Sequence, residues 1–207
     1  MLLPVVIRPV LIALAAIVLT ACASSPVSSV WTSPNQSLKG YERLVVFGIT
    51  NSPKVRRAYE DQFVAQLQAR NVQVRAGYEL VADRNLGRLA RVTEGYAQIK
   101  ADAVIITHLV TDEQPAIKPE ARLETVPNHY RHLIGYYSKV HEDVCAPDYY
   151  RDLKSLRLEA NVYDAKREQL VWSGRSQPLD PHSEKTTIGQ VVEEIVEQMQ
   201  RDGVLKQ

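Results

Sequence analysis

Between Asn128 and Tyr150 the chain gathers the side chains best able to bind or react: His129, Tyr130, His132, Tyr136, Tyr137, His141, Glu142, Asp143, Cys145, Asp148, Tyr149 and Tyr150. Three readings compete there. In the first, His129, His132, His141 and Cys145 hold a metal, since imidazole and thiolate suit zinc or copper. The spacing speaks against it, because two histidines three apart on a strand point to opposite faces. In the second, Tyr136, Tyr137, Tyr149 and Tyr150 present a contact surface, tyrosine adding large area at little entropic cost. In the third, the tyrosines cover the sheet and the acids and histidines between them are solvated. Cys145 has His141 four residues away, but a catalytic thiol needs an adjacent base and a lowered pKa. The segment names no catalytic residue, and the sequence calls for no metal and no cofactor.

The rest of the chain offers no further chemistry. It has no glycine-rich phosphate loop, no G-x-S-x-G elbow, no H-E-x-x-H and no S-x-x-K. Gly77-Tyr78-Glu79 reads as a turn. The 25 Lys and Arg oppose 24 Asp and Glu. Such a balance excludes a nucleic-acid partner held by bulk charge. Two cysteines cannot form a disulfide framework, and 45% hydrophobic residues are ordinary for a folded chain.

At the N-terminus, Pro9 to Val18 is an apolar run of signal-peptide length, ending in Leu19-Thr20-Ala21-Cys22. Small residues before a cut that leaves a cysteine first resemble the lipobox of bacterial lipoproteins. The resemblance implies removal of residues 1–21 and lipidation of Cys22. Several acyl chains, at about 0.8 kcal/mol per buried methylene, would anchor the chain to a membrane. Ala23, where an aspartate would favour inner-membrane retention, implies the outer membrane. The competing reading of Leu2 to Ala21 as an uncleaved membrane span is opposed by Pro4, Arg8 and Pro9 inside it. If Cys22 is lipidated, Cys145 has no intramolecular partner.

Positioning these residues requires a fold. Residues 22–39, rich in serine and proline and without period, read as a lipidated flexible tether. Trp31 is its one large apolar group and is expected to dock on the domain. Residues 40–207 form the domain. Arg43 to Gly48 reads as a buried strand. Asn51-Ser52-Pro53 supplies an N-cap and a first-turn proline. Val55, Tyr59, Phe63 and Leu67 then mark one helix face. Val72 and Val74 begin a second strand, a helix spans about 85–100, and Ala103 to Val110 is a third strand. This βαβαβ order predicts parallel pairing through right-handed crossovers. Arg122 to Val126 and His132 to Gly135 read as short strands. Leu156 to Val162 and Leu170 to Gly174 form a hairpin through Asp164 to Glu168. Ile188, Val191, Val192, Ile195, Val196 and Met199 stripe a last helix that stops at Gly203 with Val204 behind it. The expected class is α/β with α+β character: a mixed sheet, a βαβαβ half followed by a hairpin and C-terminal helix, and helices mainly on one face.

With Leu44 to Gly48, Arg57-Ala-Tyr-Glu-Asp61, Gly77-Tyr78, Ala101-Asp-Ala-Val-Ile105, Val162-Tyr-Asp164 and Leu170-Val-Trp-Ser-Gly174 in place, the chain resembles proteobacterial envelope lipoproteins. More distantly it is similar to the TolB N-terminal domain, CsgG and LpoB. The resemblance implies an outer-membrane lipoprotein, facing the periplasm, that binds or assembles another envelope component and performs no chemistry. The alternative is a periplasmic ligand- or metal-binding lipoprotein. The oligomeric state stays open.

Overall fold

The computed structural model describes residues 27–34, 40–111, 114–146, 149, 155–179 and 188–206. The signal segment 1–21, Cys22 and Tyr150 lie outside them. Six strands form one sheet in the order β1-β6-β5-β4-β2-β3. They are β1 (Val27–Thr32), β2 (Arg43–Gly48), β3 (Gln73–Ala76), β4 (Ala103–Thr111), β5 (Leu156–Asp164) and β6 (Gln169–Ser176). β2 runs parallel to both β3 and β4, as the βαβαβ pattern predicts, and the remaining pairs are antiparallel. The α/β class with a mixed sheet is therefore what the chain adopts.

Helix α1 (Pro53–Gln68) begins as its sequence requires, with Ser52 capping the Val55 amide and Pro53 in the first turn. Its buried positions Tyr59, Phe63 and Leu67 pack with Val191, Val192, Ile195, Val196 and Met199 of α6 (Ile188–Arg201). The end of α6 is a Schellman stop. The Val204 amide donates to Met199 O, the Gly203 amide to Gln200 O, and Gly203 takes φ +73°.

The helices do not keep mainly to one face, and this corrects the expectation. α1 and α6 cover one side. The other side buries Val92 and Tyr96 of α3 (Leu89–Gln98), Tyr130 of α4 (Asn128–Arg131), and Leu133, Tyr136, Tyr137, Val140 and Val144 of α5 (Leu133–Val144). The short α2 (Gly77–Leu80) follows β3 directly. The reason lies in β2 and β4, whose cores Leu-Val-Val-Phe and Ala-Val-Ile-Ile are apolar on both faces. Strands of that kind need cover on both sides.

Three further expectations are corrected. His132 to Gly135 is no strand: it opens α5. Its apolar positions 133, 136, 137, 140 and 144 follow the helical period. Arg122 to Val126 holds a 3-10 turn, Leu123–Thr125. The stretch 22–39, read as a loose tether before a domain at residue 40, contains β1 over 27–32. β1 pairs antiparallel with β6, and a register shift between Val27 and Ser29 puts Val27 and Trp31 in opposite core clusters. Trp31 docks as expected, 1% exposed, with its indole N–H donating to Ala121 O at 2.7 Å.

Candidate functional site

The pairing of β4, β5 and β6 brings His108 opposite Glu159 and Glu159 opposite Arg175. Alternation along β5 places Asn161 on the same face as Glu159. That face looks toward α5, so these polar side chains are covered: His108 is 4% exposed, Glu159 2%, Asn161 0% and Arg175 5%. The Tyr136 hydroxyl comes down from α5 into their middle. It donates to Glu159 Oε1 at 2.7 Å, accepts from Asn161 Nδ2 at 2.6 Å and lies 2.8 Å from His108 Nε2. Arg175 donates through Nε to Glu159 Oε2 at 3.0 Å, through Nη2 to the same oxygen, and through Nη1 to Gln114 O at 2.6 Å. All three guanidinium nitrogens are used.

Electrostatics follow from this enclosure. Burial alone would raise the Glu159 carboxyl, but the attraction of Arg175 and His108, with the Arg175 and Tyr136 hydrogen bonds, outweighs it and holds Glu159 below its ordinary value. Burial depresses His108 more than the neighbouring Glu159 raises it. Burial likewise pushes the Tyr136 phenol well above its ordinary value.

Above this cluster opens a cleft of about 160 Å³ walled by His108, Gln114, Tyr130, Tyr136, Lys139 and Tyr149 among others. The Tyr149 hydroxyl donates to Leu109 O at 3.1 Å and accepts from Gln114 Nε2 at 3.4 Å. On the rim, Lys139 pairs with Asp143. The His108, Gln114, Tyr136 and Tyr149 side chains thus bond within the protein, leaving aromatic faces toward the opening.

The residues singled out from sequence are distributed by this geometry. Tyr136 and Tyr137 are 1% and 0% exposed and are no contact surface, a correction of that reading. α5 turns both inward, Tyr136 to the polar cluster and Tyr137 to Leu86 O at 3.0 Å. Tyr149 is half-buried on the cleft wall, and Tyr150 lies outside the described residues. His129 packs at a tilt against Tyr130 at the cleft, and His132 is the exposed N-cap residue of α5. His141 and Cys145 face a different cleft, on the other side of α5. Among the described residues no three His, Cys, Asp or Glu side chains come together as a metal-ligand set. Burial raises the Cys145 thiol and lowers His141, the reverse of what a thiolate–imidazolium nucleophile requires.

A second charge pair is buried elsewhere in the domain. Arg56 and Glu60, four apart on α1, are both 0% exposed. Glu60 accepts from Arg56 Nε at 2.8 Å, from the Gly48 amide at 2.9 Å and from the Tyr78 amide at 2.6 Å. Arg56 Nη1 donates to Val81 O at 3.0 Å and Asp83 Oδ1 at 2.8 Å. The available signal was the shared face of Arg56, Glu60, Phe63 and Leu67. For Glu159 and Arg175 no local signal distinguished them from solvent-facing strand residues.

No protein-family model and no curated protein matches the chain. Among solved structures it is similar to PelC dodecamers from Paraburkholderia phytofirmans. The first, of a single-substitution variant, has a TM-score of 0.43 at 12% identity, covering 86% of this chain and 99% of that one. The second has the same score and identity and covers 86% and 97%. A score of that size does not establish a shared fold.

Proposed function

We propose that the chain is a lipid-anchored protein of the outer membrane whose periplasmic α/β domain acts as a binding or assembly accessory without chemistry of its own. The observation that carries this reading is the aromatic cleft beside Tyr130 and Tyr149. The polar groups of His108, Tyr136 and Tyr149 are bonded within the protein, so an incoming partner meets mainly apolar and aromatic area, as at a pocket for an anchor side chain. A volume of about 160 Å³ suits one ring or branched side chain. A cavity of roughly 150 Å³ accepts benzene.

The anchor gives this cleft a place. β1 starts at Val27, five residues after Cys22. Five residues reach at most about 18 Å, so a lipidated Cys22 would hold the start of β1 near the bilayer rather than tens of ångströms away. The end of β6 and the carboxyl end of β4 share that edge of the sheet. The cleft, beyond His108, would open on the membrane side.

Two measurements test the reading. Cys22→Ser should abolish incorporation of labelled fatty acid and leave an unprocessed precursor; labelling that persists would refute the lipobox. Tyr149→Ser should leave a cooperative melting transition intact yet remove a specific partner from a crosslinking pulldown in intact cells. An unchanged set of crosslinked partners would take the cleft out of the function.

A further inference from the structure

The parallel half of the sheet has a switch point at β2. From β2 the chain crosses to β3 on one side, and from β3 it returns to β4 on the other. In open α/β sheets, ligands bind beyond the carboxyl ends of the strands at such a point. Directly beyond β2 lies a cleft of about 270 Å³, lined by Thr50, Asn51, Arg56, Asp83, His141 and Cys145 among others. The N-terminus of α1, a helix of 16 residues, borders it through Pro53.

Two features set this helix start apart. Ser52 satisfies the Val55 amide with its hydroxyl and the Arg56 amide with its carbonyl, leaving the Lys54 amide without a bond among the described residues. The first turn holds Lys54, Arg56 and Arg57 and no acid. Cations there oppose the helix dipole instead of complementing it. Of the charged residues only Arg56 and Asp83 line the cleft itself, and Arg57 pairs with Asp83 at 3.4 Å.

The second feature is a buried side chain of that same turn. Arg56 is 0% exposed, yet its Nη2 has no hydrogen-bond partner among the described residues. A buried charged donor left unpaired is costly, and such an atom in a folded protein asks for an acceptor from outside the chain. Glu60 and Asp83 already take Nε and Nη1. Arg56 forms part of the cleft wall, so the acceptor's approach is through the cleft.

We propose that this cleft binds a small oxyanion, a phosphate or carboxylate group, received by Arg56 Nη2 and the first turn of α1. The charges of Arg56 and Asp83 in the lining cancel, so the helix dipole supplies the charge complement, and a guanidinium presents a donor fork matched to such oxygens. Nη2 is closed to solvent, so an anion reaches it by a rotamer step of the lining side chains. The site is separate from the aromatic cleft and does not depend on lipidation.

The test titrates the full chain, purified from cells, with inorganic phosphate and separately with acetate at constant ionic strength. Binding is followed by the arginine side-chain NMR signals and the melting temperature. A saturable shift of the Arg56 signal with one or both anions is expected, phosphate and acetate distinguishing the two groups. Asn51→Asp, an exposed change that adds a fixed carboxylate at the mouth, should weaken binding at least tenfold. Arg56→Lys should do the same if it folds, and Asn51→Asp decides if it does not. Absence of a saturable Arg56 response to both anions overturns the proposal, as does equal affinity in Asn51→Asp.

Discussion

Two arginine–glutamate pairs are buried in this domain, one on each side of α5, and they are built differently. Arg175 uses all three nitrogens, and Glu159 receives further bonds from Tyr136 and Asn161. Arg56 leaves Nη2 unpaired, and Glu60 relies on backbone amides of Gly48 and Tyr78. The electrostatic outcomes have opposite sign. For Glu60, burial raises the carboxyl and wins against Arg56 and the amides. For Glu159, burial is outweighed. A buried charge pair stabilises only when its remaining donors and acceptors are satisfied. Both charges of the Glu159–Arg175 pair meet that condition, although the neighbouring Asn161 Oδ1 finds no partner among the described residues, whereas the Arg56 pair leaves a charged donor, Nη2, unpaired.

The largest effect should come from breaking the Glu159–Arg175 pair. Glu159→Ala leaves Arg175 buried without a counter-charge and should cost about 3–5 kcal/mol in denaturant unfolding. A loss comparable to that of an exposed substitution would mean that Arg175 is not charged and enclosed as described.

A milder pair of changes compares the arginines directly. Lysine keeps the charge but loses the fork. Arg175→Lys and Arg56→Lys each put one nitrogen in place of three and give up part of three bonds, the latter also removing the Nη2 that bonds nothing among the described residues. Each charge-assisted bond contributes about 1.5–3 kcal/mol, so each change should cost at least about one such bond in denaturant unfolding. A loss no larger than that of an exposed substitution would show that the arginine concerned is not bonded as described.

The glutamates give a third contrast, smaller again. Glutamine resembles the protonated acid. At neutral pH Glu60→Gln should cost less than Glu159→Gln, because ionised Glu60 is disfavoured by its site and ionised Glu159 is favoured. Paired thermal melts in one buffer decide it, and equal costs would erase the distinction between the two pairs.

How far these sites could be read in advance depends on where their environment comes from. α1, α6 and the β5–β6 hairpin follow from periods within their own residues, and the structure has them where the periods put them. α5 was missed although its apolar spacing is helical, because Tyr136, Tyr137 and Ile134 carry strand propensity and Gly135 interrupts. β1 was missed because its register shift breaks the alternation that marks a strand, in a stretch whose serines suggested a tether. Glu159 and Arg175 alternate with apolar neighbours as solvent-facing residues do. They are buried only because α5, distant in sequence, lies across them. Arg56 and Glu60 share a helical spacing with Phe63 and Leu67, and that local signal was legible.

The smallest effect concerns pH, and it also distinguishes the two sides. His108 ordinarily titrates near 6.5, and burial lowers it in the fold. The unfolded chain therefore binds a proton that the native state refuses, so the stability this group contributes is present above about 6.5 and is lost as pH falls below that. Glu159, depressed in the fold, adds its own loss only below its ordinary 4.5. Glu60 acts oppositely: its raised carboxyl favours the fold once protonated, so its contribution is lost as pH rises through its folded pKa. His129 and His141 are also lowered by burial and share the histidine window. Melting temperature should consequently decline from pH 7.5 to 5.5, and His108→Gln should flatten part of that decline while Glu60→Gln leaves it in place. Imidazole proton NMR resolves the three histidines individually, and a His108 signal titrating above 6.5 would break the account of the Glu159 cluster.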